Sequence, residues 1–579
     1  MHHTYPKFFP LLFYLFFPIS LYTQNIETVM ESPPVMSNGG INMSHIFNYS
    51  PDSVSNYDDY SYYLSGNLNT TLWGIVNLPI SFAYTNNQTT ANLPQPFNRF
   101  SLTPSYKWAK AHIGYSSMEF SPYTLSGHEF LGGGIELTPE NGLRIKALYG
   151  RFNKATKPDT FNTEPCFQRI GGGLMVGYEH DRFDISGNVF KARDDIESID
   201  ISENEINNSL TPSDNLSGSM MLRIKLPKGV VFSGEYGISA INHDISRTDS
   251  IGGDNFLFEN EGDVSVYHAY QTSISQSSDL GTIGATYERV APNYKTFGAY
   301  YFTNDYENIT ANLSTTLFKK VNISMDAGFQ KDNLENQKTN TSKRAIYSAN
   351  ISSPITKKLT LGASFSNVES YVHIRDIYDE VTRSNQYQNI DTLSYTQINM
   401  ATSINGNYIL KSSKKQRQNL NMVFSYQEAS EQQEDDLRFV GNRIYNSTIS
   451  YLFSLIQLRF NLSATVNHNY NDMPQQTLQL ISYNLSARKV FGENFRTAFT
   501  GTYSNSFNSD GALSNIINLR LSGGYNLKKR HNFNLSLAMI NNNTTRGHST
   551  HYSANFSYSY TFNVSVKREK KKLLFEGRF

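Results

Sequence analysis

The residue types that could do chemistry are few in this chain, and they are scattered. Two glycine triplets, Gly132-Gly133-Gly134 and Gly171-Gly172-Gly173, have the composition of a phosphate cradle. Such a cradle must open a helix, so that backbone N–H groups converge on the anion. Both triplets lie instead in strand-like sequence, where kink or bulge glycines of a curved sheet are expected. His128 and the pair His180-Asp181 carry the groups of acid–base catalysis. No Ser, His and acid recur at a spacing that marks a site, so they read as ordinary polar residues at strand ends. The lone Cys166 excludes an intrachain disulfide and leaves no CxxC or thiolate cluster for a metal. The stretch 192–215 gathers Asp194, Asp195, Glu197, Asp200, Glu203, Glu205 and Asp214. It lacks the ordered spacing of a calcium loop and reads as a solvated acidic loop. No catalytic residue, metal site or cofactor is expected, and the chain is not expected to be an enzyme.

The elements that would carry these residues are strands. In Tyr552–Phe562 the large or apolar residues Tyr552, Ala554, Phe556, Tyr558, Tyr560 and Phe562 alternate with Ser, Asn and Thr. A strand points these two sets to opposite sides. The same period of two recurs over Ile456–Asn467, where Gln457, Arg459, Asn461, Ser463 and Thr465 form the polar row, and over Ile517–Tyr525, where Asn518 and Arg520 do. These segments run about 10–12 residues, the length that crosses a bilayer when tilted, against a mode of about 5–6 in soluble domains. Amphipathic helices with caps are absent over hundreds of residues, which argues against an α/β enzyme.

Composition agrees. Aromatic residues make up 13% of the chain, with 38 Tyr and 37 Phe, which excludes a disordered protein. The formal net charge of zero gives no reason to expect nucleic acid. Apart from the N-terminal run Phe8–Ile19, no stretch is long and apolar enough for a membrane helix. That run follows Lys7 and reads as a secretory signal, residues 1–23, leaving 24–40 as a periplasmic segment, 41–562 as a barrel and 563–579 as a basic tail or final strand.

Connection lengths give an independent check. Short turns fall at Asn526–His531, Arg488–Asn494, Ser454–Ile456, Leu410–Gln418, Ser353–Lys358 and Phe318–Val321. Longer polar stretches alternate with them, among them Asn541–Ser549, Ser506–Leu513, Glu428–Asn442, Glu369–Thr392 and Ala291–Glu307. Alternation of short turns and long loops is the signature of an up-and-down barrel in a membrane. The fold expected is all-β, a large antiparallel transmembrane barrel of about 26 strands (range about 24–28) with short periplasmic turns and long extracellular loops.

This pattern resembles the outer-membrane β-barrel proteins of Gram-negative bacteria, and the strand ending in Phe562 resembles their aromatic C-terminal assembly signal. The chain also ends in Phe579, so "LLFEGRF" competes for that role. The stretches "SPYTLSGHEFLGGGIELTPENGLRIKALYGRF" (121–152) and "YERVAPNYKTFGAYYFTNDYENITANLS" (287–314) are similar to segments of uncharacterised outer-membrane proteins of the Bacteroidota. Asp52-Ser53-Val54, Asp249-Ser250-Ile251 and Asp391-Thr392-Leu393 resemble the O-glycosylation acceptor of that group. The resemblance implies outer-membrane lipid, lipopolysaccharide and the barrel-assembly machinery as partners. It implies lipid contact for Tyr552, Phe556, Tyr558, Tyr560 and Phe562, and a lumen lined by the polar rows. So wide a barrel needs a filler. With 24–40 too short for the plug of a TonB-dependent transporter, the expected fillers are the loops 192–215, 241–263 and 369–392 or a separate protein. A gated channel or translocation pore for polar solutes is expected, with a surface scaffold as the alternative.

Overall fold

The period-two sequence folds as a single continuous sheet. A computed structural model describes residues 32–51, 59–86, 99–156, 165–199, 210–246, 264–336, 343–367, 400–433, 437–545 and 547–566. The strands of the first half are β1 (Val35–Tyr49), β2 (Tyr60–Leu72), β3 (Val76–Thr85), β4 (Arg99–Leu102), β5 (Ser105–Tyr106), β6 (Ala109–Glu119), β7 (Ser126–Leu137), β8 (Leu143–Asn153), β9 (Gln168–Glu179), β10 (Phe183–Asp195), β11 (Asp214–Leu226), β12 (Val230–Asn242), β13 (Val264–Ser278) and β14 (Gly281–Val290). The second half contributes β15 (Tyr306–Leu317), β16 (Val321–Asp332), β17 (Lys343–Pro354), β18 (Leu359–Asn367), β19 (Met400–Ser412), β20 (Gln416–Gln433), β21 (Leu437–Leu455), β22 (Phe460–Asp472), β23 (Thr477–Phe491), β24 (Phe495–Asn508), β25 (Gly511–Leu527), β26 (His531–Thr544) and β27 (Gly547–Val566).

Each strand pairs antiparallel with its sequence neighbours, except that the short β4 and β5 share one position between β3 and β6. The last strand returns to the first, in register from Val35↔Val566 to Tyr49↔Tyr552. The result is a closed antiparallel barrel of 26 strands, as the alternation of connections predicts. Closure pairs the first strand with the last and leaves no open sheet edge to aggregate. The sheet begins at Val35, ahead of the expected Ile41, and runs to Val566, past Phe562. Tyr552–Phe562 therefore lies on the closing strand. The competing segment near Phe579, the signal segment and the three acceptor-like motifs lie outside the described residues.

The short turns fall where the sequence places them, with one shift. Ile456–Arg459 is a turn, and β22 starts only at Phe460. The opposite ends hold a surprise. Ser506–Leu513 and Asn541–Ser549 read as loops, yet β24 and β25 continue to a tight turn at Ser509-Asp510, and β26 runs to Thr544. β20, β21 and β27 reach 18, 19 and 20 residues, against 10 in β3 and β14. Beyond the membrane neither face needs to be apolar, so polar sequence is no bar to strand, and the ladder still satisfies the backbone.

Turn backbones differ between the two ends. On the long-connection side the non-glycine residues with left-handed φ are Asn293, Asp305, Asn333 and Asn336, types that tolerate this region. On the short-turn side they are Trp73, Lys107, Lys228, Phe318, Lys319, Arg459, Lys528 and Lys529. Such residues have no intrinsic tolerance for it, and each costs roughly 1–2 kcal/mol.

Candidate functional site

Register sorts the side chains into two faces. On β22 the residues Asn461, Ser463 and Thr465 point one way, and pairing carries that face across neighbouring strands. Thr465 lies opposite Asn484, Asn484 opposite Thr502, and Thr502 opposite Asn518. The next row runs Ser463, Ser486, Thr500, Arg520. Neighbours are bonded: Ser450 and Thr465 hydroxyls at 2.9 Å, Asn484 Nδ2 donating to Thr502 Oγ1 at 2.8 Å, Ser482 and Ser504 hydroxyls at 2.8 Å. The face is a lattice of hydroxyls and amides that also carries Arg488, Arg496 and Arg520. Gln457 and Arg459, expected in the same row, are instead in the turn before β22. There Arg459 donates from Nη1 to the Gly492 carbonyl at 2.7 Å. The misplacement comes from extending the alternation through a turn that contains apolar Ile456 and Leu458.

The other face carries the aromatic rows. Tyr552, Phe556, Tyr558, Tyr560 and Phe562 share it on β27, and it continues onto β1 through Tyr49 stacked on Tyr552 and His45 stacked on Phe556. Phe533 packs against Tyr558 at 5.0 Å between centroids. Many large apolar side chains of this face are exposed, among them Val266, Ile274, Leu485 and Leu521.

A second sector of the wall, β6 to β15, is covered on its polar face by two connecting segments. These are Phe120–Leu125, between β6 and β7, and Ala291–Asp305, between β14 and β15. They meet through a parallel bridge, Leu125↔Gly298, with Ser126 N–H donating to the Gly298 carbonyl at 2.9 Å. Their strands stand far apart around the wall, so the contact is a chord, which only the concave side of a closed sheet permits. The polar face is thus the interior one.

The segments are built into the wall rather than laid on it. Thr124 donates to Asn188 Oδ1 at 2.5 Å, and Asn188 Nδ2 donates to Ser219 Oγ at 2.8 Å. Tyr294 donates to the Tyr123 carbonyl at 2.7 Å, and Tyr123 to Glu288 Oε1 at 2.9 Å. Asn215 accepts from Phe297 N–H at 3.0 Å while its Nδ2 donates to Ser239 Oγ at 2.8 Å. Ser121 donates to Glu235, which also accepts from Ser219 at 2.9 Å. The Arg169 guanidinium lies 3.6 Å from the Phe297 ring centre and makes two bonds to Asp194, at 2.8 and 3.0 Å. Burial, with Arg169 beside it, pushes the Lys295 ammonium down. Burial also pushes the Tyr123 and Tyr294 hydroxyls up, so both stay protonated donors.

Beneath these bonds sits a dry core of Met118, Phe120, Leu125, Phe130, Leu148, Phe152, Met175, Phe190, Ala192 and Phe297. Gly134, Gly171 and Gly173 of the two triplets form part of its floor, meeting Met118, Phe152 and Phe120. A Cβ at Gly173 would stand 2.7 Å from the Phe120 ring, and one at Gly237 2.7 Å from Tyr123 Cβ. They are packing glycines in regular strands, not the kinks or bulges expected. His128 is buried in the same place, stacked on Tyr300 at 4.0 Å and donating from Nδ1 to the Glu129 carbonyl at 2.7 Å. The acidic stretch is not simply solvated: Asp194 pairs with Arg169, and Asp214 with Lys191 at 3.5 Å. His180-Asp181 occupies a short turn. Among the described residues, no group of three His, Cys, Asp or Glu could hold a metal ion.

Of the loops expected as fillers, 369–392 and residues 247–263 of 241–263 lie outside the described residues; 192–215 is described except for 200–209, and its described ends continue β10 and β11. The inward segment 291–305 was not among the expected fillers, and its signal is in its composition. It carries Tyr294, Phe297, Tyr300, Tyr301 and Phe302 within fifteen residues.

No family model matches the chain, and no curated protein matches it. Among solved structures, the translocation pore of the P pilus usher PapC is similar over 92% of this chain and 100% of its own, at 9% identity and a TM-score of 0.36. The copper transporter OprC is similar over 92% and 81%, at 8% identity and 0.39. An enterobactin-bound mutant of the ferric enterobactin receptor PfeA of Pseudomonas aeruginosa is similar over 90% and 81%, at 11% identity and 0.39. Likeness this loose leaves the function to be argued from the chain's own residues.

Proposed function

We propose that this barrel sits in the outer membrane as a channel or translocation pore for uncharged polar solutes. The aromatic and aliphatic face meets lipid, the Asn/Ser/Thr face meets water, and the inward segments narrow the passage. The observation that carries this reading is the predominantly polar lattice from β22 to β25, on the same side as the inward segments. A wall of hydroxyls and amides exchanges hydrogen bonds with water and neutral solutes, and Arg488, Arg496 and Arg520 on the same face make it less hospitable to cations than to neutral solutes. The space left free is closed or gated by the outer connections or by a partner protein.

The test is single-channel conductance of the purified full chain in a planar bilayer, compared with a variant in which residues 291–305 are replaced by a short Gly/Ser link. Current in the first, enlarged in the second, supports the channel. No current in either removes that reading. A specific observation then favours a second one, a surface scaffold: the inward segments are packed as firmly as the wall itself, with Thr124, Tyr294 and Leu125 fully buried.

A further inference from the structure

The short turns present side chains that their backbone does not favour. Two adjacent left-handed residues make the tight hairpin turn that Asn-Gly fills best. Here the pairs are Phe318-Lys319, at φ 53° and 56°, and Lys528-Lys529, at φ 53° and 58°. At the other end of the barrel the non-glycine residues with left-handed φ are Asn and Asp. Other short turns place glycine at a left-handed position, as at Gly74, Gly142, Gly229 and Gly492, so the easy solution is open to the short-turn end of the barrel and these two turns do not take it. The turn needs the left-handed backbone but not these bulky side chains, and strain kept where a smaller residue would relieve it is where a function is to be sought.

Charge supplies a second, independent observation. The turns that follow β15, β17, β19, β21, β23 and β25 hold ten Lys or Arg and a single acid, Glu493, in a chain whose Lys+Arg and Asp+Glu balance at 50 each. All of these basic residues are exposed. Large apolar side chains stand beside them on the turn tips: Phe318 is 88% exposed next to Lys319-Lys320, Ile355 is 56% exposed before Lys357-Lys358, and Leu458 precedes Arg459 at 61%. A cation beside an apolar or aromatic side chain is the pairing that suits the boundary between lipid tails and headgroups, where the stem or ring enters and the charge stays with phosphate.

We propose that the short-turn rim from β15 to β26 is a docking surface for the phosphates of anionic phospholipid headgroups in the leaflet it faces. It fixes the depth and tilt of the barrel through lysine and arginine contacts. The apolar turn residues hold those contacts at the membrane surface. This role stands whether or not the lumen conducts.

The experiment uses the full chain in lipid nanodiscs, with phosphatidylglycerol against phosphatidylcholine, and counts retained lipids by native mass spectrometry. Wild type is expected to retain anionic lipid several-fold over zwitterionic lipid, with the preference falling as salt rises. One variant replaces Phe318-Lys319 and Lys528-Lys529 with Asn-Gly. It is expected to melt no lower than wild type in neutral detergent, because the strain is relieved, and to lose much of the lipid preference. A second, Lys320→Gln with Lys358→Gln and Lys415→Gln, removes charge without touching a left-handed residue and is expected to lose the preference in proportion. Equal retention of the two lipids by wild type, or unchanged preference in both variants, overturns the proposal. Equal retention together with tight, salt-sensitive binding of polyglutamate would hand the rim to an acidic protein partner instead.

Discussion

The two halves of this wall obey the same alternation and use it differently. From β6 to β15 the interior face holds buried Phe, Met and Tyr side chains, ion pairs such as Arg169–Asp194 and Arg144–Asp184, and two segments bonded across them. From β22 to β25 the same face holds Ser, Thr and Asn bonded to each other across strands. One sector is a core in the sense of a soluble protein, and the other is a polar surface with no segment bonded across it among the described residues. A barrel of 26 strands is too wide for its own side chains to fill, so packing energy inside it must come from chain that folds inward.

Substitutions at matched interior positions sharpen the contrast. Phe190 is fully buried, edge-on to Phe152 at 5.1 Å. Phe190→Ala is expected to cost about 3–5 kcal/mol in urea unfolding followed in detergent. If it costs no more than Ser482→Ala in the polar half, the two-sector description fails. Arg169→Met strands the Asp194 carboxylate, which is only 5% exposed, and is expected to cost about 3–5 kcal/mol. Adding Asp194→Leu should recover much of that loss in a double-mutant cycle, and a purely additive cycle would show that the pair is not coupled. Asn215→Ala leaves Phe297 N–H and Ser239 Oγ short of a partner, for about 1–3 kcal/mol, and should loosen 291–305 first. Faster amide exchange confined to that segment is the expected readout. The smallest effect is in the other half. Thr502→Ala removes one cross-strand bond from Asn484 and is expected to cost about 0.2–1 kcal/mol with little change in conductance.

Particular residues show what could be read in advance. The final strand was legible from Tyr552 to Phe562, because alternation is a property of adjacent residues. So were the turns at Phe318–Lys320 and Lys528–Arg530, because a break in alternation is equally local. Gln457 and Arg459 were misplaced where apolar Ile456 and Leu458 continue the alternation through a turn. The glycine triplets could not be interpreted, since their reason is the ring of Phe120, which reaches Gly173 only after β6 and β9 take their places in the wall. Nor could the inward segments, because Thr124 and Thr296, which bond to each other's segment, are 172 residues apart.

The sequence alone determined the strands, their two faces, the alternating connections and a strand number close to the real one. All of these follow from a period of two and from breaks in it, and both are written in consecutive residues. Tertiary structure alone decided which connections turn inward, which glycines make room for them and which sector of the interior they cover. Those outcomes depend on contacts across a chord of the closed barrel, and no local pattern in the chain carries that distance.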